Sequence, residues 1–393
     1  MKKEWKSPKI IIGKDATGDY YYKRGAIERE IWEEIEKGNN ILISAPRRVG
    51  KTSVMKSIVG NPKEGYKLIF KNIQGVNTEE GFYKTIYSLI LDCLSKFNNV
   101  TEFFTHYIKT HAITEIGTGS LKIGSQNLNY ADEINKIIPK LDVNGESVVL
   151  FLDEVPEVIH TLYKKNKIDE AISILKNLRH WRQNDAYKKL QFVIAGSIGI
   201  HHVVNEVQGR LSDINDLKKI YYEPLDEIEY QNYIEWATKE ATVKYTLELK
   251  KYLQEIIQYL APYFINLMLD EVNMIALKNN NNAISEEIID VAFKSIIKKS
   301  DHFSDWKKRL KDYLKPNDYS FVNEVLIHIS HENSITVQQL YNKATKYQMT
   351  DDYMEFVNDL EHDGYITEQS QKYVFVSPFL KEYWKKMNPI YKK

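Results

Sequence analysis

Residues 41–52 read ILISAPRRVGKT, an apolar run followed by an arginine-bearing loop that ends in glycine, lysine and threonine. Residues 41–44 suit a short buried strand, and apolar positions recur at helical spacing through residues 52–58, so the local order is strand, loop, helix. The loop itself, Ala45-Pro46-Arg47-Arg48-Val49-Gly50-Lys51-Thr52, fits the phosphate-loop pattern except that alanine stands at the first glycine. In such a loop the backbone N–H groups point at a β-phosphate and the following helix adds its positive end. Lys51 would bridge the β- and γ-phosphates and Thr52 would ligate Mg²⁺, with Ser53 next in the helix. An ordinary strand-to-helix turn is the plain alternative. The apolar strand before the loop and the amphipathic helix after it favour the phosphate site.

Outward from this stretch, further strands are expected at residues 67–72 (KLIFKN), 147–152 (SVVLFL), 191–195 (QFVIA) and 219–222 (KIYY), separated by helical segments. That alternation predicts an α/β fold, a parallel sheet covered on both faces. Residues 112–115 and 120–123, around Gly117 and Gly119, suggest an inserted hairpin. Composition changes near Pro224: residues 227–276 read as amphipathic helices, then a polar break at 279–282 and one more helix. From Asp301 helices are expected at 322–330, 337–346 and 351–362, followed by a hairpin over 365–376 with its turn at 369–371. Three helices and a hairpin predict a winged helix. The expected domains are therefore a P-loop core at 1–225, a helical lid at 226–300 and a winged helix at 301–393.

The chain has 393 residues, enough for two to three domains. Its 54 Lys and Arg balance 54 Asp and Glu, so any nucleic-acid binding must be local. A single cysteine, Cys93, allows no intrachain disulfide, and the opening MKKEWKSPKI has no apolar stretch behind its charges. The longest apolar runs fall far short of a membrane helix. A cytoplasmic protein without membrane attachment is expected, and no fixed-period repeat is found.

A second chemical site lies at residues 148–154, VVLFLDE, a hydrophobic strand ending in two carboxylates. Asp153 can hold the Mg²⁺ shell and Glu154 can orient or deprotonate a water attacking the γ-phosphate. The alternative is an acidic pair that starts a helix by satisfying its free N–H groups. Strand 191–195 delivers Gly196 and Ser197 to a third strand end, where Ser197 is either a γ-phosphate sensor or the N-cap of the next helix. Arg210, ahead of strand 219–222, is a candidate arginine finger reaching a neighbouring subunit's nucleotide. Arg179 and Arg182 (LRHWRQ) compete for that role, with a surface salt bridge the default for each. Asn166-Lys167-Ile168-Asp169 spells a guanine-reading pattern but follows no apolar strand, so it is set aside. His111, His201 and His202 lack partners at ligand spacing, and no zinc is expected.

Gly18 to Arg24 (GDYYYKR), Gly38-Asn39-Asn40, APRRVGKTS, Leu152-Asp153-Glu154 and Ala195-Gly196-Ser197-Ile198-Gly199 together resemble the archaeal-type ATPases of the STAND group within the AAA+-like P-loop proteins. The resemblance continues through Asn215-Asp216-Leu217, Pro224-Leu225, Ala261-Pro262-Tyr263-Phe264, Asp363-Gly364-Tyr365 and Ser377-Pro378, nearly the whole chain. It implies an ATP-binding core, a helical lid and a winged-helix tail that act as a nucleotide-controlled switch or assembly with slow turnover. Matched by position, Lys51 and Thr52 take phosphate and Mg²⁺, Asp153 and Glu154 metal and water, and Ser197 the sensor place. Arg24 matches an entry motif near the adenine and Pro262 the lid proline, although alanine replaces the glycine before it and no arginine stands nearby as a second sensor. Some relatives carry a nuclease-like domain after the winged helix; an effector is expected here on a separate chain.

The tail's electrostatics bear on its partner. Residues 301–393 hold 13 Lys and Arg against 14 Asp and Glu, and residues 351–368 carry seven carboxylates with no lysine or arginine. Phosphate contacts supply much of the affinity for DNA. A protein contact, whether an effector or a nucleotide-dependent homo-oligomer, is therefore favoured over the alternative of an ATP-regulated DNA-binding protein. Tyr373, Phe375, Phe379, Tyr383 and Trp384 could anchor an interface or pack the tail's own core.

Overall fold

The computed structural model describes residues 4–95, 113–117, 120–123, 128–144, 146–196, 203–204, 207, 212–299 and 301–391. Contacts divide the chain into two compact units: residues 23–45 with 51–222, and residues 1–22 with 46–50 and 223–393.

The first unit is built on a five-stranded sheet. Its elements are α1 (Gly25–Glu36), β1 (Ile41–Ser44), α2 (Lys51–Gly60), β2 (Tyr66–Asn72), α3 (Glu79–Ser95), the hairpin β3 (Ile113–Gly117) and β4 (Ser120–Ile123), α4 (Tyr130–Ile137), β5 (Ser147–Asp153), α5 (Val155–Lys164), α6 (Ile168–Gln183), β6 (Leu190–Ala195) and β7 (Lys218–Tyr221). The strand order is β2-β5-β6-β1-β7, every pair parallel. β5 and β6 are buried along nearly their whole length, which explains why both read as unbroken apolar runs rather than alternating ones. β6 lies between β1 and β5, so the carboxyl ends of three adjacent strands bear the phosphate-loop start, the acidic pair and Gly196. In open parallel sheets that edge is where ligands bind. The inserted hairpin is present as an antiparallel pair, Ile116 facing Leu121.

The second unit contains α7 (Glu227–Thr238), α8 (Leu247–Ile257), α9 (Pro262–Lys278), α10 (Glu286–Lys298), α11 (Asp301–Tyr313), α12 (Pro316–Glu332), β8 (Ile335–Thr336), α13 (Val337–Lys346), α14 (Tyr353–His362), β9 (Ile366–Gln369), β10 (Lys372–Phe375) and α15 (Pro378–Met387). The three strands pair in the order β8-β10-β9, antiparallel. α11, α15 and the two-residue β8 were not foreseen from sequence. β8 is too short to carry a pattern, and its Thr336 serves mainly as the N-cap of α13 in a reciprocal capping box with Gln339.

The segments expected as lid and tail share one aromatic core. Phe264 of α9 stacks on Phe303 and Trp306 of α11 and on Phe379 of α15. Trp384 meets Tyr365, Phe375 and Tyr383. Tyr373, Phe375, Phe379, Tyr383 and Trp384 are all buried, so these rings pack the core and are not exposed anchors. The amino-terminal arm, read from sequence with the P-loop core, hydrogen-bonds here to α7 and α9. Trp5 donates to Asn273 at 3.1 Å, Asn266 donates to the Ile11 carbonyl at 3.0 Å, and Lys9 N–H reaches Ala237 at 2.7 Å.

Candidate functional site

In the first unit, Lys51 opens α2 and is buried, and Thr52 follows it. The Thr52 hydroxyl donates to Oδ2 of Asp153 at 2.6 Å, joining the start of α2 to the end of β5. Asp153 is fully buried, and its Oδ1 has no hydrogen-bond partner among the described residues. Burial pushes this carboxyl above the usual carboxylate range, while the Lys51 charge and the Thr52 hydrogen bond act in the opposite direction. An orphaned buried carboxylate oxygen is costly unless something occupies it. A hydroxyl and a carboxylate side by side are hard oxygen donors, the set that Mg²⁺ takes from protein when phosphates and waters complete its shell. The residues fit the ion. No group of three or more His, Cys, Asp or Glu side chains converges as a ligand set among the described residues.

Glu154 occupies the N-cap position of α5 in left-handed backbone, φ 67° and ψ 33°, and its side chain makes no capping hydrogen bond. Glu154 thus stands at a helix start, as the alternative reading of the acidic pair has it, without a side-chain capping hydrogen bond. Its backbone N–H instead donates to the Ala195 carbonyl at 2.8 Å, tying β5's end to β6's end. Arg24, at the N-cap of α1, places its guanidinium 4.8 Å from the ring centre of the buried Tyr222, which directly follows β7. Ala45, the residue after β1, is buried, as is Ser53.

The alternative arginine fingers are engaged elsewhere. Arg182 donates through Nε and Nη2 to the two carboxylate oxygens of Asp216 at 2.8 and 2.9 Å, and its side chain is 1% exposed. Arg179 pairs with Asp213 at 3.4 Å and donates to Gln183. Both hold α6 to the segment before β7, the salt-bridge default. Ser197 and Arg210 lie outside the described residues, as do His111, His201 and His202. Asn166 and Lys167 lie in the turn between α5 and α6, and Ile168 and Asp169 open α6, with Lys167 paired to Glu170 at 2.6 Å, so the guanine-reading pattern sits at no strand end.

Residues 46–50 group with the second unit. Arg48 and Gly50 are left-handed, at φ 66° and 105°, so the loop turns twice within three residues. Sequence reading assigns Arg47 and Arg48 to the nucleotide. Their side chains here turn onto α9 and α11. The Arg48 guanidinium lies 4.8 Å from the Tyr263 ring centre and 3.7 Å from the Asp305 carboxylate. Arg47 lies 5.6 Å from the Trp306 ring centre, and burial lowers its pKa. Gly364 is left-handed, and a Cβ added there would stand 2.9 Å from Cβ of Pro46. Val49 is buried. Pro262 is the first residue of α9, next to Tyr263. Tyr263, Asp305, Trp306 and Gly364 are the loop contacts that motif reasoning missed. Ala261-Pro262-Tyr263-Phe264 and Asp363-Gly364-Tyr365 offered the signals, through Tyr263 and Gly364, but nothing in them points to the loop, because the partners lie more than 200 residues from it.

A family model described as an AAA-like domain matches residues 13–289. No curated protein matches the chain. Among solved structures, a Walker-type ATPase of Pyrococcus abyssi superimposes with a TM-score of 0.58 at 13% identity, covering 94% of this chain and 98% of that one. The ORC2 protein of Aeropyrum pernix, in ADPNP and ADP complexes, gives 0.54 at 12% identity, covering 92% of each chain. At such identities the likeness is one of fold: a P-loop α/β core with a helical carboxyl-terminal region. No helix among the described residues is long and apolar enough to cross a membrane.

Proposed function

The chain belongs to the AAA-like domain family, and on that premise we propose that it binds ATP with Mg²⁺ and hydrolyses it slowly, as a cytoplasmic switch of the STAND type governing self-assembly or a partner protein. The observation that carries this reading is the Thr52–Asp153 hydrogen bond with its orphaned Oδ1, set between a buried Lys51 and a left-handed Glu154 at the start of α5. Bound Mg²⁺ would supply charge stabilisation to the phosphates. The chain's own residues would do the rest. Lys51 neutralises phosphate charge at the start of α2, where the helix's free N–H groups add to it. Thr52 and Asp153 hold the ion, and Glu154 orients the attacking water or accepts its proton. The adenine nucleotides seen with the ORC2 protein support the choice of ATP. Arg24 on Tyr222 would border the base, and Pro262 would approach the phosphates; Ser197 as sensor and Arg210 as finger complete the reading.

Residues 316–375 run helix, strand, helix, helix, strand, strand, and we read them as a winged helix that meets protein. Asp351, Asp352, Glu355 and Glu368 are exposed there, and no lysine or arginine stands among residues 351–368 to contact phosphates. The test pairs ATP turnover with light scattering, on wild type and Glu154→Gln, with and without Mg²⁺ and ATP. Turnover should fall at least about 100-fold in the variant with nucleotide affinity retained, and the mass should change with nucleotide. Equal turnover in the two proteins overturns the role of Glu154. Salt-dependent binding of duplex DNA would overturn the protein-partner reading.

A further inference from the structure

β5 and β6 run in register with Asp153 opposite Ala195, and past that register the two strand ends meet again. Glu154 N–H donates to the Ala195 carbonyl. Two residues on, Pro156 lies in the first turn of α5, where its missing N–H costs nothing. Its ring rests on Gly196. A Cβ built at Gly196 would stand 2.5 Å from both Cδ and Cγ of Pro156, so the next residue of β6's strand end must be glycine for the ring to lie there. No positive φ accompanies Gly196; what it supplies is room, not conformational freedom. Between these two contacts sits Glu154 in left-handed backbone, a conformation costing about 1–2 kcal/mol for a residue with a side chain. Such a conformation persists where its surroundings over-determine it. Here one contact fixes the amide of Glu154 and the other fixes the chain two residues later.

We infer that Gly196 and Pro156 are positioning residues that aim the Glu154 carboxylate at the attacking water. The inference rests on the ATPase reading above and assigns a task to residues that touch no substrate. The ring of Pro156 packed on a bare backbone sets the angle at which α5 leaves β5, and that angle sets where the Glu154 side chain projects. An alanine at 196 must displace the proline ring by about 1 Å to reach an ordinary contact. A displacement of that size at a reacting group can cost about 100-fold in rate.

The experiment measures kcat, KM and the affinity for a fluorescent ATP analogue with Mg²⁺, together with melting temperature, for wild type, Gly196→Ala, Pro156→Ala and the double variant. Gly196→Ala should lower kcat about 10- to 100-fold while analogue affinity stays within about threefold. Pro156→Ala removes the ring that collides with the new methyl group, so the double variant should recover at least part of the lost kcat. A merely structural role would move melting temperature without this rescue. Gly196→Ala with wild-type kcat, or a double variant no better than Gly196→Ala, overturns the inference. Should Gly196→Ala not fold, Pro156→Gly carries the test: it frees the backbone beside Glu154 and must lower kcat with affinity unchanged, and an unchanged kcat overturns the inference. A wild type with no turnover, matched by Glu154→Gln, overturns the ATPase reading and this inference with it. Wild-type turnover left intact by Gly196→Ala overturns the inference alone.

Discussion

Arg48 and Thr52 stand four residues apart in one loop-to-helix turn, yet their partners come from different parts of the chain and do different work. Thr52 and Lys51 belong to a small oxygen-and-ammonium cluster at the end of β5, with a carboxylate oxygen left over. Arg47 and Arg48 are covered by rings and a carboxylate from α9 and α11. In the proposed reading the rear of the loop takes a ligand, whereas the front of it is organised as part of a core. Charge alone does not reveal which lysine or arginine in a phosphate loop is left for phosphate. What decides is which other groups each cation meets.

The sharpest way to break the comparison is Trp306→Ala. The indole is 1% exposed, edge-on to Tyr365 at 5.1 Å, near-parallel to Phe264, and faced by Arg47; the Tyr365 hydroxyl donates to the Trp306 carbonyl at 2.9 Å. Truncating a ring so enclosed should cost about 3–5 kcal/mol, measured by chemical denaturation. A loss below about 1 kcal/mol would mean that the rings over the loop's front are not a core.

Lys51→Ala tests the other half. A charge-assisted interaction with phosphate is worth about 1.5–3 kcal/mol, so affinity for a fluorescent ATP analogue should fall about 10- to 100-fold. Stability of the nucleotide-free protein should fall far less than in Trp306→Ala, because the neighbouring Asp153 carboxyl, already raised by burial, can take up a proton when the Lys51 charge is gone. Intact affinity in Lys51→Ala would place the phosphates elsewhere and end the comparison.

Much of the first unit was legible because its signals are local. ILIS, SVVLFL and QFVIA are buried along nearly their whole length and announce themselves as apolar runs, while KLIFKN, the half-buried edge strand, is marked by its apolar centre; the observed ends lie within one residue of the reading. Asp153 was legible for the same reason, as the first charge after six residues of strand. The side-chain directions of Arg47 and Arg48 were not, since the sequence around the loop holds no trace of Tyr263, Asp305 or Trp306. The contact of Pro156 with Gly196 escaped as well. A proline in a first helical turn and a glycine after a strand are each ordinary, and only the parallel register of β5 and β6 brings them together. The amino-terminal arm was misplaced by proximity in sequence, its hydrogen-bond partners lying near residues 237–273.

The finest test lies in Arg48 itself, whose backbone and side chain can be separated. Arg48→Ala and Arg48→Gly both remove the cation over Tyr263 and the ion pair with Asp305. At a partly covered site, these contacts are worth about 1–2 kcal/mol together. The two variants differ in backbone. At φ 66° alanine keeps a left-handed cost of about 1–2 kcal/mol, which glycine escapes. Glycine in turn adds about 0.4–1 kcal/mol of freedom to the unfolded chain. Arg48→Gly should therefore be the more stable of the two by about 0.5–1 kcal/mol in parallel denaturant titrations. The reverse order would show that Arg48 is not held left-handed, and that the loop's front owes its shape to side-chain contacts alone.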